Sequence, residues 1–231
     1  MEPCVANPGK ELVRVHDGVS YARLPIKTSV ITKDDNIADI VERFVEPHIQ
    51  DGDIVFISER VVAITQGRAY AIADIKASKL ATFLSKRVFK SPYGIGLGSP
   101  WTMQLAIQEA GAARILLGAL VAALTKPFGI KGMFYKVVGE GVNAIDGPCD
   151  YTLPPYNKYA VLGPKNPHKV ARELAERFGH DVVIIDANDL DLNVLGVSNP
   201  AHDYAWCKGV YGDNPTGQSS EQTPICIVRR Q

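Results

Sequence analysis

Two aspartates stand where apolar segments run out into turns. Val182, Val183, Ile184 and Ile185 form a continuous apolar run that ends in Asp186, Ala187, Asn188 and Asp189. Val142, Asn143, Ala144 and Ile145 deliver Asp146 into Gly147 and Pro148 in the same manner. Ligands in open α/β sheets gather at the carboxyl ends of strands. Carboxylate oxygens there are hard donors of the kind that Mg²⁺ or Mn²⁺ takes. Asp146 and Asp186 together could share one divalent cation, and the chemistry this permits is metal-assisted phosphate handling. The plainer reading makes each a turn residue, since Asp and Asn are the ordinary punctuation after strands. A third polar stretch, Thr216 to Pro224 with Gly217, Gln218, Ser219, Ser220 and Glu221, precedes the last apolar run. It has the composition of either a linker or a phosphate-contacting loop.

Other chemistries leave no trace. No GxxxxGK[ST] phosphate loop, HExxH helix or GxSxG elbow is present. Gly94, Gly96 and Gly98 could bring backbone N–H groups close to an anion. Without a following Lys and Ser or Thr, a tightly turned structural loop is the better expectation. The histidines at 16, 48, 168, 180 and 202 have no ligand spacing to one another. A Cys207–His202 nucleophilic pair would depend on geometry that spacing cannot supply.

These residues need elements to position them. Residues 10–32 alternate loosely and predict two strands. Ile37, Ile40, Val41, Phe44 and Val45 follow helical spacing, with Asp34 and Asp35 as expected caps. Asp51 to Asp53 is a turn and Ile54 to Ile57 a short buried strand. Val61 to Thr65 continues as either a helix or a second strand. Helices are expected over 77–89, 102–110, 112–125 and 168–178. The helix over 112–125 is apolar nearly all round and is expected to be buried. Strands are expected over 133–138, 142–145, 182–185 and 225–228. The fold class is therefore α/β or α+β, with mixed sheet and flanking helices. The whole chain, 1–231, is expected to form one domain or two intimately packed subdomains.

The bulk properties narrow the classes further. With 46% hydrophobic and 22% charged residues among 231, the chain has the composition of an ordinary globular protein. Lys and Arg balance Asp and Glu at 25 each, which argues against a nucleic-acid partner. The basic stretch from Lys79 to Lys90 reads as the wet face of a helix. The four cysteines, at 4, 149, 207 and 226, show no CxxC or zinc spacing, as expected in a reducing compartment. The first residues carry no apolar signal core. The longest apolar run, Ile115 to Leu124, is about half of the ~20 residues a membrane span needs. The expectation is a cytoplasmic protein without a membrane partner.

Taken in order along the chain, several segments resemble the coenzyme F420-0:gamma-glutamyl ligase family. Leu24 to Asp35 is similar to the family's opening. Asp51 to Ser58, then Gln66, Gly67 and Arg68, resembles its DGD, apolar strand and Glu-Gly-Arg segment. Val142 to Asp146 resembles its Asn-Ala-Gly-Ile-Asp motif, one glycine short. Leu153 to Pro155, Val183 to Asn188, and Gly217 to Pro224 resemble later motifs. The resemblance implies a homodimer that binds GTP (or ATP) with Mg²⁺ or Mn²⁺. Its reaction joins an amino acid, L-glutamate in the family, to a carboxylate that phosphorylation has activated. It implies Asp146 and Asp186 as metal ligands, with Gln218 or Glu221 as a third. It places Thr28, Ser29, Val30, Ile31, Ser58, Gly217, Gln218, Ser219 and Ser220 against the nucleotide. The chain departs from the family at Ile64, where a nucleotide-contacting lysine is expected, and at Ala187, where a threonine is expected. Leu190, Asp191, Leu192 and Asn193 replace basic residues, and 93–128 aligns with no family motif. The alternative implied by these departures is a catalytically inactive or repurposed nucleotide- or metal-binding protein of the same fold.

Overall fold

The computed structural model describes residues 5–88, 96–130, 132–139, 141–189 and 192–231. The expected features at Gly94 and at Leu190–Asp191, like Cys4 and Phe89, lie outside the described residues. The chain divides into two compact units. Unit 1 holds Met1–Gly67 and Pro164–Gln231, and unit 2 holds Arg68–Gly163.

Unit 1 is built on a six-stranded mixed sheet. Its strands are β1 (Val13–His16), β2 (Val19–Ile26), β3 (Ile54–Ser58), β6 (Asp181–Ala187), β7 (Leu192–Val197) and β8 (Ile225–Arg230). Their order across the sheet is β1-β2-β8-β3-β6-β7. Only β3 and β6 run parallel, with Ser58 opposite Ile185; the other neighbours are antiparallel. The apolar runs explain the centre of this order. Val55, Phe56 and Ile57 on β3, Val182 to Ile185 on β6 and Ile225 to Val228 on β8 are all buried. Strands covered on both faces read as continuous hydrophobic runs.

Helices cover those faces. Helix α1 (Ile37–Phe44) starts at Asn36, whose side chain accepts from the amide of Ala38 at 2.8 Å. Asn36 takes the cap expected of Asp34 or Asp35, because Asp35 turns back to accept from the Thr32 amide at 2.7 Å. The ambiguous apolar stretch after β3 is helix α2 (Glu59–Thr65). Helix α7 (Pro167–Phe178) packs on β6 and β7, and a Cβ added at Gly196 would lie 2.4 Å from the Pro167 backbone. That glycine is what lets the helix approach so closely. Helix α8 (Tyr204–Tyr211) closes the other face. There Phe56 stacks on Tyr211 at 4.4 Å between ring centroids, within a cluster that includes Val183, Ile185, Cys226 and Val228. Strand β7 and α8 were not foreseen: Leu192 to Val197 is interrupted by Asn193 and Gly196, and the helix carries β-branched and aromatic residues.

Unit 2 is mainly helical. It holds α3 (Lys79–Ser85), α4 (Pro100–Ala110), α5 (Ala112–Thr125) and α6 (Met133–Val138), with a two-stranded sheet of β4 (Ala69–Ala71) and β5 (Tyr159–Val161). Its core gathers Ala81, Leu84, Leu97, Met103, Ala106, Ile115, Val138, Ile145 and Leu162. Three expectations fail here. Residues 133–138 form α6 rather than a strand, because Gly132 and Gly139, both at positive φ, bound a single amphipathic turn and a half. Residues 142–145 form turns, and only Asp146 makes an isolated bridge, to Val161. Helix α5 is not buried: within it only Ile115 and Gly118 are, and Leu116, Leu117, Leu120 and Leu124 are exposed. A short helix touching one neighbour can hide only the stripe that faces it.

Candidate functional site

The parallel β3–β6 pair sets the geometry of one sheet edge in unit 1. Both strands end there, at Ser58 and at Asp186–Ala187, with Ser58 opposite Ile185. The antiparallel neighbours bring their own connections to the same edge. Ile26, the last residue of β2, and Ile225, the first of β8, are partners, and Ile225 is also the partner of Ile57. The segment leaving β2, the residue ending β3, the turn after β6 and the loop entering β8 therefore meet.

Hydrogen bonds tie these segments to one another. The Thr28 amide donates to the Gln222 carbonyl at 3.1 Å, and Gln222 Nε2 donates back to the Thr28 carbonyl at 2.5 Å. Gln222 has φ 60, a left-handed conformation that a side chain adopts only at a cost. The Ser58 amide donates to the Pro224 carbonyl at 2.9 Å. The Ser58 hydroxyl makes no capping bond to α2. The Asp189 amide donates to Gln218 Oε1 at 3.2 Å, which links the turn after β6 to the loop before β8. Lys10 Nζ bridges Asp189 Oδ1 at 2.7 Å and the Asp213 carbonyl at 2.6 Å. Within the loop, Glu221 accepts from the Ser219 amide at 2.7 Å and from its hydroxyl at 3.0 Å. Gly217, at φ 77, lies against the Glu221 carboxylate and leaves no room for a Cβ. Asn214, Thr216 and Thr223 fasten the base of the loop, with Asn7 donating to Thr223 Oγ1 at 2.8 Å.

Four chain segments distant in sequence thus share one edge. The family described as F420-0:Gamma-glutamyl ligase matches residues 25–209. The chain belongs to that ligase family. No curated protein matches it. The matched stretch takes in Thr28 to Ile31, Ser58, Asp146 and Asp186, and it stops before the 217–224 loop.

Membership gives the positions of the expected residues their context. Thr28, Ser29, Val30, Ile31, Ser58, Asp186, Gly217, Gln218, Ser219, Ser220 and Glu221 all belong to unit 1 and to this edge or the loops that reach it. Thr28 and Ile31 are buried, whereas Ser29 and Val30 are exposed. Asp186 is half-buried and its strand partner is Asn193. Asp146 belongs to unit 2, where its amide donates to Val161 and its carbonyl accepts from it, both at 2.9 Å. Its side chain is exposed. Among the described residues, no group of three or more His, Cys, Asp or Glu is arranged to hold a metal ion.

The departures from the ligase family also acquire a setting. Ile64 lies on α2 and is 2% exposed, so its position supplies core rather than an accessible cation. Ala187 ends β6 opposite Leu192. Residues at the edge that the sequence did not single out are Gln222, the clamp on Thr28, and Lys10, the cation on Asp189. Glu59, a carboxylate only 6% exposed at the start of α2, was also passed over. An acidic residue one place after a strand-ending serine was the available signal for Glu59. Nothing local marks Lys10, whose partners are at positions 189 and 213.

Other titratable groups serve the fold. Burial, with Asp203 nearby, pushes the Cys207 thiol up to about 12, and its Sγ donates to the His202 carbonyl. It is not poised as a nucleophile. His202 Nε2 instead meets Asp181 Oδ2 at 2.8 Å while its ring packs on Trp206. Desolvation raises the Asp181 carboxyl, but hydrogen bonds from Asn199, His202 and Ser198 outweigh it and leave the group below its ordinary value. Asp213 behaves likewise: desolvation raises it, and the buried Arg23 guanidinium with Arg14 brings it lower.

Proposed function

We propose that the protein is a metal- and nucleotide-dependent amide ligase, acting on GTP or ATP, that phosphorylates a substrate carboxylate and joins it to an amino acid. The observation that carries this reading is the convergence of Thr28–Ile31, Ser58, Asp186 and the 217–222 loop on the carboxyl ends of β3 and β6. In an α/β sheet this is where ligands bind.

The donor chemistry suits a hydrated divalent ion. Mg²⁺ is typically held by one or two carboxylates, with waters and substrate phosphates completing its shell, so a dense protein cluster is not required. Asp186, with Asn188 and Asp189 beside it, would hold the ion, Gln218 or Glu221 being further oxygen donors. When bound, the ion supplies charge neutralisation at the phosphates. The need for it follows from composition: unit 1 carries fourteen Lys and Arg against twenty Asp and Glu. A triphosphate approaching so acidic a unit requires counter-charge that the side chains do not provide. Backbone N–H groups and hydroxyls of Ser29, Ser58, Ser219 and Ser220 would orient the nucleotide, and the Gln222–Thr28 clamp would hold the two flanking segments at a fixed separation. The ligase acts on a small-molecule carboxylate and an amino acid, as a homodimer, without nucleic acid.

The test is phosphate release from GTP or ATP with Mn²⁺ or Mg²⁺, stimulated by an amino acid together with an acid acceptor. Asp186→Ala abolishes the release while the far-UV circular dichroism is unchanged. A folded wild-type protein that turns over no nucleotide sinks the proposal. Ile64 and Ala187 favour a second reading, a nucleotide- or metal-binding protein of this fold that has lost catalysis. Under that reading nucleotide with metal raises the melting temperature by mass action, and no phosphate appears.

A further inference from the structure

Six of the exposed large apolar side chains among the described residues fall between Leu116 and Ile130, on one hairpin of unit 2. Helix α5 packs on α6, with Gly118 so close to Val138 that a Cβ would meet it at 2.6 Å, and with Arg114 beside Gly139. The two helices therefore run antiparallel, and Lys126 to Ile130 lie at the tip between them. Leu116, Leu117, Leu120 and Leu124 recur at helical spacing along the side of α5 turned away from α6, and all four are exposed. Phe128 and Ile130 continue the patch onto the tip, where Phe128 is 81% exposed. Apolar residues gathered in this way mark an interaction site, as singly scattered ones do not.

The charge around the patch selects what covers it. Between Glu109 and Glu140 the sequence has no acidic residue. Arg114 and Lys126 at the two ends of α5, and Lys136 on α6, are exposed there. Unit 1 takes fourteen of the 25 Lys and Arg and twenty of the 25 Asp and Glu, which leaves unit 2 with eleven against five. A second copy of the hairpin would bring the same cations and no carboxylate to meet them. An anionic lipid surface answers both features, because its acyl boundary takes apolar side chains and its headgroups take Lys and Arg. An apolar run too short to span a bilayer can still lie along one. At ~1.5 Å per residue α5 is about 21 Å long, against a hydrocarbon core of ~30 Å. No single helix among the described residues is long and apolar enough to cross a membrane, and α4 with α5 is bent by 112°. We propose that unit 2 docks peripherally on an anionic bilayer, with the α5 leucines and Phe128 in the acyl boundary and Arg114, Lys126 and Lys136 on the headgroups. The proposal stands whether or not the protein ligates anything.

Co-sedimentation of the full chain with vesicles tests this, phosphatidylcholine alone being compared with phosphatidylcholine carrying phosphatidylserine. The wild type is expected to pellet with the anionic vesicles, to bind the neutral ones at least ~10-fold more weakly, and to be released as salt rises from about 0.1 to about 1 M. Lys126→Gln combined with Lys136→Gln weakens binding to the anionic vesicles by roughly 30-fold. Phe128→Ser and Leu120→Glu each weaken it by about 10-fold or more. All four side chains are exposed, so the variants keep the wild-type melting temperature to within a few degrees. A wild type that stays in the supernatant overturns the proposal. So does equal binding to both kinds of vesicle, and so does binding that Phe128→Ser and Leu120→Glu leave unchanged. Light scattering on the same samples reads the competing occupant: a soluble dimer split by Leu120→Glu, with no wild type in the pellet, gives the face to a second copy and overturns the proposal too. Phosphate release is measured without vesicles, so failure of the ligase reading leaves this result untouched.

Discussion

Gln222 offers a test in which two substitutions at one position must differ in the size of their effect. The residue makes two bonds to Thr28, one through its backbone carbonyl at 3.1 Å and one through Nε2 at 2.5 Å, from a backbone at φ 60. Gln222→Ala removes the side-chain bond and keeps the strained backbone. A typical intramolecular hydrogen bond contributes ~0.5–1.5 kcal/mol, so Ala destabilises by about 1 kcal/mol. Gln222→Gly removes the same bond but also the left-handed penalty of ~1–2 kcal/mol. Against that gain stands the greater freedom of glycine in the unfolded chain, ~0.5–1 kcal/mol. Gly therefore falls within about 0.5 kcal/mol of wild type and is more stable than Ala by roughly 0.5–1 kcal/mol. Urea denaturation midpoints, with slopes checked to be unchanged, measure the difference directly. Both variants release the Thr28 carbonyl, so both raise the KM for nucleotide more than they lower kcat if the edge binds it. An Ala variant as stable as Gly, or more so, would falsify the claim that this backbone is strained and held by its contacts.

Asp181 and Asp213 both lie below the ordinary carboxylate value in the folded protein. Depressed carboxyls contribute stability that is present above the unfolded value and disappears as pH falls through the folded one. The melting temperature should thus fall below about pH 4, and less steeply in Asp181→Asn, which is less stable at neutral pH; a pH series of thermal melts checks both. Ile64→Lys, which writes the family's lysine back into the chain, buries an unpaired cation on α2. It should cost ~3 kcal/mol or more and lower the melting temperature by roughly 6–12 °C without improving nucleotide affinity. Gly196→Ala drives a methyl group into the Pro167 backbone and should destabilise by ~2–3 kcal/mol, read by urea denaturation. Asp186→Asn should leave the melting temperature within about 1–2 °C while eliminating metal-dependent phosphate release, a pairing that separates a ligand from a strand-end turn residue.

Unit 1 was far more legible in the sequence than unit 2, and the difference is physical. Val182 to Ile185, Ile54 to Ile57 and Ile225 to Val228 are buried on both faces, so each reads as an unbroken apolar run with a polar boundary. Those boundaries lie along one sheet edge, where Ser58, Asp186 and the loop before Ile225 come together. What a run cannot tell is its neighbours: that β8 inserts between β2 and β3, and so brings Gln222 to Thr28, is a matter of pairing over about two hundred residues of chain. In unit 2 the runs mislead. Met133 to Val138 is rich in aromatic and β-branched residues and yet is helical, because two glycines at positive φ bound it and six residues can pack on α5 as one short amphipathic turn. Local propensity there yields to packing.

Helix α5 was misread for the opposite reason. A helix that is apolar all round is buried in something, and the sequence reading supplied the chain's own core as the only candidate. The structure buries Ile115 and Gly118 and leaves the leucine row outside. Hydrophobicity reports that a surface is removed from water and says nothing about which molecule removes it.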